Sequence, residues 1–296
     1  MTNPSNLRGI GCMVLSTGIF VTVDTAMKII MADAEPMQVL FMRGVSASLW
    51  CLPVLFVLGH GLRLREALNR CVMARALFET LGVTMFVQAL ARMPIADITA
   101  IFQTTPLLLL AGVSLFWRER IGGPRIGLIL VGIAGALLVA QPGAATASPY
   151  AAFGFLTALA CAIRDMVARN IPREIPALVA TFTTLLMVTV AAGLAMLAFE
   201  TWTHPTSVHL GLLVAAGPML MLSHMLVFLA FRLASAATVA PFYYTFTLWA
   251  VTSGYLVFGE VPNRLAMAGM ALILTSGLAI VLMDGRTRRV PAEAAT

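Results

Sequence analysis

The chain has 296 residues, of which 60% are hydrophobic and only 11% charged, with a mean hydropathy of +0.93 and a net charge of +6. A water-facing domain of this size carries roughly 25% charged residues, so composition excludes a soluble enzyme and a disordered chain. A nucleic-acid binder is excluded as well, because the basic residues are scattered singly and build no basic face. At roughly 20 residues per membrane crossing, this length holds about ten helices and short loops, with almost nothing left for an extramembrane domain.

Ten apolar stretches follow one another, at residues 8–31, 37–59, 72–91, 96–117, 124–141, 149–169, 177–199, 209–231, 236–258 and 264–283. Their length and the lack of strict alternation predict helices, since backbone in hydrocarbon must satisfy its hydrogen bonds internally. Turn signals separate them: Glu35-Pro36, Met93-Pro94, Gly122-Gly123-Pro124, Gln141-Pro142-Gly143, Pro172 to Pro176, and Val261-Pro262. The first stretch has some features of a cleaved signal, but it is long for one and contains Asp24 and Lys28, so it is taken as a helix. The four cysteines, Cys12, Cys51, Cys71 and Cys161, have neither disulfide nor zinc spacing.

Of the 19 basic residues, all but Lys28 are arginine. With the N-terminus in the cytoplasm, 15 of them fall on the cytoplasmic side, including Arg75 and Arg164; Lys28, Arg43, Arg92 and Arg264 fall on the other. That asymmetry predicts that both termini are cytoplasmic.

The sequence also matches itself at an offset of 141 residues. Asp24 falls on Asp165, Lys28 on Arg169, Phe41 on Phe182, Thr104 and Leu107 on Thr245 and Leu248, Glu119 on Glu260, and Leu137 on Leu278. Each copy spans five helices, an odd number, so the second must enter the membrane from the opposite side. Inverted repeats of this kind place a site near the midplane and alternate access to it by rocking one half against the other. The predicted fold class is therefore all-α: a polytopic membrane protein of ten helices in two inverted repeats. The predicted division is 1–141 for the first repeat, 142–285 for the second and 286–296 for a cytoplasmic tail.

The segment Ala96 to Ala140 reads ADITAIFQTTPLLLLAGVSLFWRERIGGPRIGLILVGIAGALLVA. With Pro106, Glu119-Arg120, and Gly127, Gly132 and Gly135, it resembles the EamA-type repeat of the drug/metabolite transporter superfamily. In the second copy Gly259-Glu260 matches the turn, while Thr247 stands where the helix proline would be. Arg43, followed by Gly44, Ser46, Ala47 and Ser48, resembles the family's second helix; Thr17-Gly18 replaces the Trp-Gly pair common in the first. The resemblance implies a ten-helix basket whose cavity is lined mainly by helices 1, 3, 4, 6, 8 and 9, in a carrier that exports amino acids, drugs or other metabolites. Members that export aromatic amino acids offer the first comparison.

Several residues are candidates for the transport site. Glu79 lies near the middle of the third helix, where an ionisable group faces the bundle interior or a wet cavity. It either binds a substrate ammonium or exchanges a proton, or it is a protonated group bonded to a neighbouring helix. Gln88 lies about 180° away on the same helix and is left out. Asp24 and Lys28, four apart on the first helix with Thr17 on the same face, form a gate or recognition pair at the outer mouth, or simply neutralise each other. Asp165 and Arg169 are either their inner counterpart or ordinary loop charges.

Thr99, Gln103 and Pro106 share a face of the fourth helix, and at the repeat offset Phe102 and Gln103 equal Tyr243 and Tyr244. A proline here frees backbone carbonyls for a cavity. Tyr243, Tyr244 and Trp249 either offer aromatic bodies with polar tips or serve as packing anchors. His224 in the eighth helix, with Met221, Met225 and Phe228 at helical spacing, lines the cavity or is satisfied by a carbonyl. The 18 methionines suit a permissive cavity or ordinary lipid contact. Glu119, between Arg118 and Arg120, and Glu260 are assigned to fixing helix hairpins, and Gly123 and Gly127 to close packing.

No phosphate-binding glycine loop, nucleophile elbow or zinc-protease motif occurs, so neither ATP hydrolysis by a P-loop nor a cofactor is implied. The implied partners are a small-molecule substrate and the bilayer. A zwitterion with an apolar side chain fits: carboxylate near Lys28, ammonium near Glu79, side chain against Tyr243, Tyr244 and Trp249. With no arginine cluster expected at the midplane, phosphorylated substrates are disfavoured. The sequence thus predicts export of neutral, bulky amino acids or similar metabolites across the cell inner membrane. A cationic-drug extruder and an intramembrane enzyme using Glu79 and His224 are the competing readings.

Overall fold

The computed structural model describes residues 4–59, 61–117, 122–141, 148–168, 170–172, 174–234 and 236–287. Among these, every regular element is helical. In chain order they are α1 (Pro4–Ile30), α2 (Pro36–Val57), a 3-10 segment Gly61–Leu68, α3 (Arg70–Leu90), α4 (Ile95–Phe102), α5 (Thr105–Trp117), α6 (Gly123–Ala140), α7 (Ala151–Ala168), α8 (Ala177–Phe199), α9 (Ser207–Leu233), α10 (Ala236–Tyr243), α11 (Thr245–Phe258) and α12 (Arg264–Thr287). Nine spans among the described residues are long and apolar enough to cross a membrane. The interrupted helix α10–α11 supplies the tenth. The protein is an all-α polytopic membrane protein.

The predicted stretches match these helices closely, but the fourth and ninth are broken. The cause is local. Pro106 has no N–H to give to the Phe102 carbonyl, and Thr105 Oγ1 donates to that carbonyl instead at 2.6 Å. Thr104 Oγ1 donates to the Ile101 carbonyl at 2.7 Å, and Thr245 Oγ1 donates to the Phe242 carbonyl at 2.6 Å. These four residues are equivalent at the repeat offset, so the same hydroxyl bond stabilises the same break in both copies.

The packing follows the repeat. Helix α1 lies along α9 as α7 lies along α3, α2 packs on α8, and α6 packs on α12. The α6–α12 seam is made by small residues, which let helix backbones approach in lipid. A Cβ on Gly135 would meet the Gly269 carbonyl at 2.7 Å and Leu272 Cβ at 3.0 Å. Gly132 faces Leu107 and Ser276. Gly123 and Gly127, assigned to packing from the sequence, have nothing within 4 Å, so the seam sits further along α6. The Glu119 turn lies outside the described residues.

Most buried apolar side chains gather toward one end of the bundle, where α1, α3, α6, α8 and α11 finish. One cluster joins Val21, Leu90, Ile95, Ile98, Ile101, Val139, Ala250 and Ile273; a second joins Met27, Ile30, Leu40, Val87, Val188 and Met196. Toward the opposite end the buried clusters are small, around Met13 and around Leu107. The bundle is therefore sealed at one end. Glu200 strengthens that end by accepting from Met37 N and Gln38 N, both at 2.9 Å, which satisfies donors at the start of α2.

Replacing Gly135 by Val overpacks the α6–α12 seam and is expected to lower stability by about 1–3 kcal/mol. Gly127→Ala, in open space, should stay within about 0.5 kcal/mol of the parent. Thermal unfolding in detergent checks both.

Candidate functional site

The interior of the bundle holds more charge than the sequence suggested. Glu79 on α3 is paired: Arg164 Nη1 on α7 donates to Glu79 Oε2 at 2.5 Å, each side chain being 19% exposed. Arg164 Nε also donates to Asp165 Oδ1 at 2.8 Å. Arg75, one turn before Glu79, donates to Thr184 Oγ1 on α8 at 2.9 Å and lies in the field of Glu79. Arg43 on α2 shares that field and the field of Asp24. The structure thus corrects one expectation: Arg164 contacts Glu79, and Arg75 and Arg43 lie in its field, where no arginine cluster was expected. Arg169, the expected partner of Asp165, lies outside the described residues.

Lys28 does not neutralise Asp24. Lys28 Nζ instead donates to Glu260 Oε1 at 2.5 Å and to the Met93 carbonyl at 2.6 Å. Glu260 Oε2 accepts from Ile95 N at 3.0 Å, which ties the start of α4 into the same knot. The knot crosses from the first copy to the second at the sealed end. Gln88, left out from its helical phase, accepts from Arg92 Nη1 near the end of α3.

Beside the charges runs a chain of rings. Phe20 and His224 meet edge to face with centroids 5.0 Å apart; Phe20 and Phe246 are 6.2 Å apart, Phe246 and Phe102 6.3 Å, and Phe102 and Phe86 5.9 Å. Tyr243 stacks on Phe246 at 6.3 Å and 24°. The rings come from α9, α1, α11, α4, α3 and α10, so this is where both repeats converge. His224 Nδ1 is bonded to the Leu220 carbonyl at 2.8 Å, yet the side chain stays accessible in mid-helix. Gln103 Nε2 donates to the Tyr243 carbonyl at 3.3 Å and links the two broken helices. Its Oε1 is buried without a partner, as are Thr99 Oγ1 and Thr247 Oγ1.

Not every candidate joins this interior. Thr17 is fully buried between helices, bonded to the Val14 carbonyl and to Thr245 Oγ1 at 2.8 Å. Tyr244 is buried with its hydroxyl against Gly277 of α12. Trp249 packs on Gly18, is 41% exposed and donates to the Val14 carbonyl at 3.1 Å. These three hold the ninth span to its neighbours. Sequence reasoning missed Arg43, Arg164, Phe20, Phe86 and Phe246. The arginines carried a usable signal, a charge inside an apolar run; the phenylalanines carried none, since the chain has 16 of them.

Ten spans in two repeats, closed at one end around a charged and aromatic interior, define a multi-pass membrane protein built on the plan of a small-molecule carrier. The chain belongs to the EamA-like transporter family, whose pattern matches residues 7–141 and again 148–283. It is 30% identical to a riboflavin transporter of Rhizobium johnstonii over 74% of this chain and 72% of that one. It is 25% identical to an S-adenosylmethionine uptake transporter of Rickettsia conorii over 94% of each chain. A pseudopaline exporter of Pseudomonas aeruginosa is 27% identical over 92% of this chain and 95% of its own. A solved crystal structure of a protein with 18% identity aligns over 96% of this chain and all of its own with a TM-score of 0.61, which supports the fold. The protein is a small-metabolite membrane transporter of the drug/metabolite transporter superfamily, not an enzyme.

Glu79→Gln leaves Arg164 half-paired in a buried setting and should lower stability by about 3 kcal/mol. Glu79→Leu combined with Arg164→Met removes both charges and should recover most of that loss, as a double-mutant cycle of unfolding in detergent would show.

Proposed function

We propose that this chain is a secondary transporter that works by alternating access and exports neutral, bulky amino acids or closely similar metabolites across the cell inner membrane. Residues 1–141 and 142–285 act as the two inverted halves, 286–296 as a cytoplasmic tail, and both termini face the cytoplasm. The observation that carries the reading is the ring chain Phe86–Phe102–Phe246–Phe20, with Tyr243 and His224 attached, set beside the interior charges. A pocket of this type holds an apolar body by contact and orients it by a few polar groups.

Two of the relatives are named for substrates that carry a flat ring. Riboflavin offers a flat ring system, and S-adenosylmethionine joins an amino-acid head to a purine. The relatives' names include both uptake and export, so direction follows the gradient that each cell maintains; export is the direction proposed for this chain. With the Lys28–Glu260 end outward, that knot is the contact that must part for substrate to leave.

Purified protein in liposomes should show counterflow of labelled phenylalanine, methionine or leucine, faster than of aspartate and without ATP. Absence of counterflow for every amino acid, with uptake of a cationic dye, overturns the reading. A second measurement concerns the orientation and the knot. In a cysteine-free background, a cysteine placed in the 201–206 loop should react with an impermeant thiol reagent in intact cells. A cysteine at Phe20 should react from outside several-fold faster when Glu260 is replaced by Gln.

A further inference from the structure

Three interior charged side chains are left over among the described residues when all the pairs are drawn: Asp97, whose buried Oδ1 lies in the field of Glu260 and Lys28, and Asp24 and Arg43. Among the described residues Asp24 and Arg43 make no hydrogen bond and no ion pair, with each other or with any neighbour, although each is only 9% exposed. Arg43 Nε is buried without an acceptor. Each nevertheless lies in the electrostatic field of the other. The other strong charges nearby are engaged: Glu79 with Arg164, Arg164 with Asp165, Arg75 with Thr184, and Lys28 with Glu260.

An unpaired guanidinium and an unpaired carboxylate within the membrane are each costly and normally find a partner. Here they stop short of contact, on helices α1 and α2 of the same repeat, and Arg43 is also in range of Glu79. A positive and a negative group held apart in low dielectric are complementary to a ligand that carries both charges in the opposite order. The guanidinium suits a carboxylate, which accepts two parallel N–H bonds from it. The Asp24 carboxylate suits an ammonium. Asp24 lies one turn beyond Phe20 on α1, so a ligand head held there has its body directed along the ring chain.

We propose that Asp24 and Arg43 form the headgroup clamp of the transport site, Arg43 taking the carboxylate and Asp24 the ammonium of an amino-acid-like zwitterion. This rests on the transport reading above but reassigns the roles that the sequence gave to Lys28 and Glu79, both of which are occupied by protein partners. It also explains why the two charges tolerate isolation: they are paired only while substrate is bound.

The test uses reconstituted full-length protein and labelled phenylalanine counterflow, with phenethylamine and 3-phenylpropionate as unlabelled competitors. Each competitor keeps the ring and one charge. Arg43→Gln should weaken phenylalanine and 3-phenylpropionate by about 10- to 100-fold, the range for a lost charged hydrogen bond, and leave phenethylamine unchanged. Asp24→Asn should do the reverse, weakening phenylalanine and phenethylamine but not 3-phenylpropionate. Substrate-free Arg43→Gln should melt no lower than the parent, since no protein partner is orphaned. If phenylalanine moves in the parent but both variants treat the three compounds alike, or if Arg43→Gln melts well below the parent, the clamp is wrong while the transport reading stands. If the parent moves no amino acid at all, the transport reading falls and the clamp with it.

Discussion

Charge inside hydrocarbon sets the terms for the rest of this structure. An arginine or glutamate at mid-membrane has no water to turn to, so its partner must come from another helix, and that requirement fixes which helices meet and in what rotation. Glu79 and Arg164 join α3 to α7, and Arg75 extends the join to α8. Lys28 and Glu260 join α1 to the end of α11 and, through Ile95 N, to α4. Both joins run between the two sequence repeats. The apolar surface alone could not specify them, because lipid tails are as apolar as the leucines they touch.

The same constraint separates structure from function inside the bundle. Paired charges hold helices together; Asp24 and Arg43, unpaired, do not. Where backbone is freed, at the breaks in the fourth and ninth spans, hydroxyls of Thr104, Thr105 and Thr245 take over the carbonyls. Gln103 then bridges one break to the other. The breaks and the rings share the central region, where Phe246 belongs to the larger apolar cluster and Phe20 and Phe86 pack against it.

Carriers named for riboflavin, S-adenosylmethionine and pseudopaline align with this chain over most of their length, although their substrates differ widely. A common scaffold carrying different cargoes is consistent with that spread.

How much of this was legible in the sequence depends on the range of the interaction. The ten spans, the two copies and the class of protein followed from hydropathy, length and a fixed offset, because each is a property of one segment or of two segments compared in register. Glu79, Gln103, Phe102, Tyr243 and His224 could be singled out as candidates, since a polar group or a proline-linked break stands out within an apolar run. The partners were not. Glu79 and Arg164 are 85 residues apart and Lys28 and Glu260 are 232 apart, and helical phase tells only which residues share a face of their own helix. Lys28 was therefore matched to Asp24, its nearest opposite charge along the chain, and Trp249 was assigned to the cavity rather than to the seam with Gly18. The amino-acid order determined that charges would be buried in a ten-span inverted repeat. Only the packing of one helix against another decided which of them would be paired and which left open, because that choice depends on helix rotation and separation, and neither is a property of any single helix.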